Sequence, residues 1–176
     1  MKRLKYYLAA TLDGFIAHAD GSFDGFAWDE AVVADFFASY ENFDVVLMGR
    51  KTYEVGLKDG KTSPYPTLRQ YVYSRSLPHS PDPAVTLVKH DAIAHVAALK
   101  QETGKDIWLC GGANLASQLL AAHLIDEVIL KLNPVVFGAG KPLFEAGIPQ
   151  TALQFREVSK IYDCGILLLH YDVVVP

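Results

Sequence analysis

Asp44-Val45-Val46-Leu47-Met48-Gly49-Arg50-Lys51-Thr52 opens as a short apolar run and breaks at a glycine. The run Asp44 to Met48 has the length and composition of a strand buried on both faces. A helix starting after Gly49 would aim free backbone N–H groups and its positive dipole end at an anion. Arg50 would add a bidentate fork and Thr52 a hydroxyl. Two further stretches share this character. Asp106 to Cys110 is a second strand that runs into Gly111-Gly112-Ala113-Asn114, where two glycines let a ligand approach the backbone closely. Tyr73-Ser74-Arg75-Ser76 ends a third strand with two hydroxyls flanking a guanidinium. Three anion-binding corners in one domain point to a long, multiply charged ligand such as a dinucleotide. The Gly-x-Gly-x-x-Gly fingerprint does not follow the first strand, so the site is not a Rossmann site of the usual kind.

Working outward, the pattern alternates short apolar runs with amphipathic stretches, which predicts an α/β fold. Lys5 to Thr11 reads as a strand, Leu12-Asp13-Gly14 as a turn, and Asp20-Gly21 and Asp24-Gly25 as a loop. Asp29 is placed to cap a helix running to about Tyr40, with Val32, Val33, Phe36 and Phe37 on one face. Gly56 to Pro66 reads as loop, and Gln70 to Ser74 and Ala84 to Lys89 as strands. Asp91 opens a second helix that Gly104 is expected to close. A third spans Asn114 to His123 with Leu115, Leu119 and Leu120 inward. Ile125 to Leu132 reads as a strand, and Ala152 to Ile161 with Gly165 to Val175 as an antiparallel pair.

The chain has 176 residues, 51% hydrophobic and 20% charged, which fits one compact domain over 1–176. Its 16 Lys and Arg against 20 Asp and Glu give a formal charge of −4. That balance argues against nucleic acid as a main partner. No apolar run reaches the roughly 20 residues of a membrane span. Cys110 and Cys164 form no disulfide framework and no Cys-x-x-Cys pair, and with no targeting peptide the expected home is the reducing cytoplasm. The six histidines lack the spacing of paired metal ligands, so no metal is expected. Gly56 to Thr62 imitates a phosphate-binding loop but has three residues between its glycines where four are needed.

Met48-Gly49-Arg50-Lys51-Thr52-Tyr53 resembles the Met-Gly-Arg-x-Thr-aromatic motif of the dihydrofolate reductase superfamily. Ile107-Trp108-Leu109-Cys110-Gly111-Gly112 is similar to that family's apolar strand ending in a Gly-Gly pair, which there carries a cis peptide. The opening Leu12-Asp13-Gly14-Phe15-Ile16-Ala17 resembles one branch, the reductase domain of riboflavin biosynthesis. So do Gly111 to Glu127, Pro134 to Gly138 and Pro142-Leu143-Phe144. The resemblance covers nearly the whole chain. It implies a twisted, mainly parallel sheet of about eight strands flanked by helices, with an antiparallel C-terminal edge.

The resemblance further implies NADPH as cofactor. Arg50, Ser74 and Arg75 would hold the 2′-phosphate. Gly49, Thr52 and the turn Gly111, Gly112, Ala113, Asn114 and Leu115 would hold the pyrophosphate. Ala9 and Ile16 would meet the nicotinamide. Asp13 is the candidate acid, and Trp28, Asp29 and Phe144 line the substrate side. Two positions depart from the relatives. Aligning Trp28 and Gly49 with the folate enzymes puts Val33 where their helix carries a carboxylate. Cys110 stands where the riboflavin branch usually places Glu. The expected reaction is hydride transfer to a pyrimidine ribosylamine such as 5-amino-6-(5-phosphoribosylamino)uracil. The alternatives are reduction of a dihydropterin and a nucleotide-binding module without catalysis. The branch also implies a homodimer joined at a sheet edge.

Overall fold

A computed structural model describes residues 1–175. Its centre is an eight-stranded sheet whose spatial order follows from where the chain turns back. Strand β1 (Leu4–Thr11) lies near the middle, and the short β2 (Phe15–Ala17) leaves it for a small separate pair. Helix α1 (Glu30–Ala38) and a 3-10 turn at Ser39–Asn42 lead to β3 (Phe43–Gly49). Helix α2 (Arg50–Lys58) then carries the chain outward to β4 (Arg69–Tyr73) and β5 (Val85–Val88). Helix α3 (Ala92–Gln101) brings it back to β6 (Asp106–Gly111), which inserts between β3 and β1. Helix α4 (Ala113–Ala121) crosses β1 to reach β7 (Glu127–Asn133). The two-residue β8 (Lys141–Pro142) pairs with β2, and β9 (Leu153–Ile161) and β10 (Leu167–Val173) finish the sheet. Neighbours run β5-β4-β3-β6-β1-β7-β10-β9, parallel through β7 and antiparallel beyond it.

Outward and returning crossovers of one hand must place their helices on opposite faces. The core divides accordingly. Tyr6 and Leu8 of β1, Val45 and Leu47 of β3, and Ile107 and Leu109 of β6 pack with Val96 and Leu99 of α3 and Leu115 and Leu119 of α4. The alternate residues Tyr7, Val46, Met48 and Trp108 pack on the other face with Tyr53 of α2, against Phe36 and Tyr40. This two-sided burial explains why the strands read as continuous apolar runs. Trp108 is fully buried and its indole N–H donates to the Tyr7 carbonyl at 2.9 Å.

Several boundaries differ from the sequence reading, three of them near the glycines and the first helix. The first helix ends at Ala38, where the chain tightens into the 3-10 turn. Helix α2 continues through Gly56 to Lys58, so the start of the expected loop is helical. Gly104 does not close α3, whose cap is Glu102 in extended backbone. Gly104 has φ +131° and packs where a Cβ would lie 2.4 Å from the Asp44 carboxylate, beside Lys2. Its glycine is required by close approach, and that requirement imitates a helix stop signal.

Among the described residues, no helix is long and apolar enough to cross a membrane. Nor do three His, Cys, Asp or Glu side chains gather anywhere among them as a metal site would require.

Candidate active site

All the parallel strands end at the same edge of the sheet, and a cleft of about 1470 Å³ runs along those ends. In open α/β sheets this edge is where ligands bind. Ala9, Ile16, Gly49, Arg50, Thr52, Ser74, Arg75, Gly111, Gly112, Ala113, Asn114 and Leu115 all line it, so the three corners open into one continuous space.

The corners at β3 and β6 touch each other. A Cβ on Gly49 would stand 3.3 Å from the Gly112 nitrogen, and one on Gly112 would stand 3.3 Å from the Thr52 hydroxyl oxygen. The Gly111–Gly112 peptide is cis, and Gly111 has φ +137°, a conformation glycine adopts freely. The helices that start here differ from the other two. Helix α1 is capped by the Asp29 carboxylate and α3 by that of Asp91, whereas α2 and α4 begin at Gly49 and Gly112 with no side-chain cap. A helix leaves its first N–H groups without intrahelical partners. In α2 and α4 those groups remain available beside the cleft, which is the arrangement an anion needs.

The polar side chains are partly committed. Arg50 pairs with Glu54 at 2.6 Å one helical turn along. The Ser74 hydroxyl oxygen accepts from the N–H groups of Ser76 and Leu77, fixing the turn that presents the exposed Arg75. Trp28 is 85% exposed at the cleft mouth, and Asp29 sits beside it as the cap of α1. Val33 lines the cleft. Asp35 does not, and its carboxylate is held by Lys160 and by the Tyr162 hydroxyl at 3.0 Å.

Two expected residues lie elsewhere. Asp13 is exposed and outside the cleft lining. Its carboxylate accepts from the Thr11 hydroxyl at 2.5 Å and from the N–H groups of Phe137 and Gly138 at 3.2 and 2.7 Å. The Thr11 hydroxyl, helped by those two amides, holds the group below the usual carboxylate range, so it stays ionised and braces two loops. That position lies outside the cleft in which the expected acid would act. Phe144 likewise lies outside the cleft lining: its ring packs 5.3 Å from that of Tyr6 against the core on the α3–α4 face.

Apart from Trp108 and Cys110, the inner end of the cleft is built from residues that no motif announces. Tyr7, Phe36, Tyr40, Tyr65 and Trp108 converge there with Cys110 and Lys131. Tyr40 stacks on Trp108 at 5.4 Å, and Tyr65 meets it edge-on at 4.7 Å. The Lys131 ammonium lies 3.8 Å from the centroid of Phe36 and 5.3 Å from that of Tyr7. Ring contacts of this kind are worth about 0.5–2 kcal/mol, less than the several kcal/mol that desolvating an ion costs. The balance shows in its acidity, since burial pulls Lys131 down to about 8 against an opposing effect of Cys110. Burial also pushes the Cys110 thiol up to about 11, and the Tyr65 hydroxyl lies 3.5 Å from its sulfur. One signal for Lys131 does exist in the sequence, because a single charge interrupts the apolar run Val128 to Leu132.

With this geometry in view, the sequence matches the RibD C-terminal domain family over residues 3–168. The chain belongs to that family. Among its relatives is the uncharacterized protein YwjB of Bacillus subtilis (strain 168), 36% identical over 166 residues that cover 94% of each chain. The crystal structure of a Shewanella sp. PV-4 protein assigned to riboflavin biosynthesis superposes with a TM-score of 0.83 at 25% identity, covering 99% of this chain and all of the other. Dihydrofolate reductase from Enterococcus faecalis, complexed with NADP(H), shares the fold at a TM-score of 0.64 and 16% identity, covering 97% of this chain and 94% of its own. The RibD C-terminal family thus carries a dihydrofolate-reductase-like fold here, as the motifs implied.

Proposed function

We propose that this RibD C-terminal family member is an NADPH-dependent reductase. It transfers hydride to a small heterocycle of the pyrimidine ribosylamine class, with 5-amino-6-(5-phosphoribosylamino)uracil as the reference compound. The observation that carries this reading is the continuity of the cleft from the exposed Arg75 corner, past two uncapped helix starts, to an aromatic inner end.

In this reading Arg50, Ser74 and Arg75 hold the 2′-phosphate. Thr52, Gly49 and the Gly111 to Leu115 turn hold the pyrophosphate, and Ala9 and Ile16 lie against the nicotinamide. When bound, that ring supplies a hydride to an electron-poor carbon. The chain's own contribution is alignment and exclusion of water: main chain fixes one partner along the strand ends while the aromatic end receives the other. Trp28 and Asp29 border the entrance on the substrate side.

Titration with NADPH and NADH, followed by protein fluorescence, tests the reading. Preference for NADPH is expected, and equal affinity removes the role given to Ser74 and Arg75. A second reading, an NADP-binding module without catalysis, is favoured by the position of Asp13 outside the cleft. Tight NADPH binding without oxidation in the presence of the ribosylaminouracil, imines or dihydropterins would establish it. Turnover of dihydrofolate would instead favour the pterin alternative, which Val33 in the cleft disfavours. The reading includes a homodimer joined at the β9 edge, where Phe155 and Ile161 are 54% and 71% exposed. Light scattering that returns the mass of a single chain would remove that part.

A further inference from the structure

The Lys and Arg side chains of the eight-stranded sheet differ in one respect. Lys5 pairs with Asp106 at 2.9 Å and Arg69 with Glu102 at 2.5 Å. Arg156 pairs with Asp172 and Glu127, and Lys160 with Asp35. Lys131 alone has no carboxylate within ion-pairing distance among the described residues. Asp35, next to Phe36 on α1, is held by Lys160 and Tyr162.

Its neighbours share a second property. Lys131 and the hydroxyls of Tyr40 and Tyr65 can all donate, and burial keeps both phenols protonated. Cys110 is likewise held as a thiol. No carboxylate stands among these inner residues, so the end of the cleft is rich in donors and poor in acceptors. Its remaining walls, Tyr7, Phe36 and Trp108, are flat and apolar. A cation in such a place is completed by a ligand that brings the negative charge with it.

We propose that Lys131, with Tyr40, Tyr65 and Trp108 around it, forms a subsite for a planar ring bearing an anionic oxygen. The ring lies among the aromatic side chains and the oxygen accepts from the Lys131 ammonium. This deepens the reductase reading and rests on it for the claim that the ring belongs to the hydride-accepting substrate. The binding claim rests on the cleft alone. It sets a requirement on the substrate: its heterocycle carries a carboxylate or an ionised ring oxygen at the end remote from the cofactor phosphates.

Calorimetry on the full chain tests this with orotate, a planar pyrimidine carboxylate, against orotamide, its neutral counterpart. The wild-type protein is expected to bind orotate at least about tenfold more tightly. In Lys131→Met that preference disappears, while orotamide affinity stays within about twofold, because the methionine keeps most of the apolar stem. Lys131→Arg keeps most of the preference. Equal wild-type affinity for acid and amide, no binding of either, or a preference that survives in Lys131→Met overturns the subsite. The wild-type comparison needs no variant to fold.

NADPH titration of the same proteins separates the two readings. NADPH binding with orotate indifferent to Lys131 removes the subsite and leaves the reductase. Orotate binding through Lys131 in a protein that ignores NADPH removes the reductase and leaves the subsite.

Discussion

At the ends of β3 and β6 the wall of the cleft is main chain: Gly49, Gly111 and Gly112 lie against one another and two helices begin without side-chain caps. At the inner end the wall is side chain. Tyr7 comes from β1, Phe36 from α1, Tyr40 from the turn after it, Tyr65 from a loop, Trp108 from β6 and Lys131 from β7. The first region recognises whatever accepts hydrogen bonds from amides, which any chain of this fold can offer. The second depends on which residues happen to stand at six separated positions. A shared frame with a private inner end is how one fold can host different functions.

Filling the main-chain wall should have the largest effect. Gly111→Val puts a β-branched residue at φ +137° beside Thr52, and NADPH affinity should fall by more than about 100-fold. Orotate binding at the inner end should change far less; equal loss of both would mean that the two regions are not separate units. Next in size is Arg75→Ala, expected to weaken NADPH by about tenfold and NADH by less than about twofold. Equal losses for both nucleotides would argue against a 2′-phosphate contact.

The inner region can be sharpened by pH. The pKa of Lys131 is 10.5 in its ordinary state and about 8 in the fold, so between these values the unfolded chain binds more protons. Wild-type stability should therefore rise with pH from 8 to 10.5 relative to Lys131→Met, and the penalty for burying the charge should be fully present below 8. Denaturant melts of both proteins across that window check the sign. A constant difference would mean that the ammonium is well solvated. The smallest effect is expected for Asp13→Asn, which loosens the contact of the Leu12–Gly14 turn with Phe137 and Gly138. Nucleotide affinity and any turnover should stay close to wild type, and a collapse of turnover would restore Asp13 as the acid.

How much of this was legible in the sequence divides along the same line. The corners could be read because a strand, a glycine and a helix start are consecutive in the chain, so local pattern carries their geometry. The individual strands and the final antiparallel pair were legible for the same reason, while the eight-stranded sheet came from the family resemblance. Asp13 misled because a Leu-Asp-Gly turn looks the same whether its carboxylate faces the cleft or braces Phe137 and Gly138. Gly104 misled because close packing on Asp44 and a helix end both call for glycine. Phe144 belongs to the core by virtue of Tyr6, 138 residues earlier, a distance that no local pattern spans. The aromatic end around Lys131 could not be assembled by inspection, since its members meet only after β6 has come to lie between β3 and β1.

That insertion has a consequence in time as well as in space. A nascent chain that has emerged only as far as β5 owns β3 and β4 side by side, but β1 has no neighbour until Asp106 to Gly111 arrives between them. Half of the main-chain wall and the floor under Tyr40 and Tyr65 therefore wait for a segment that closes long loops on both sides. Until about Asn133 has left the ribosome the cleft lacks a wall, and the growing protein must wait for its own middle.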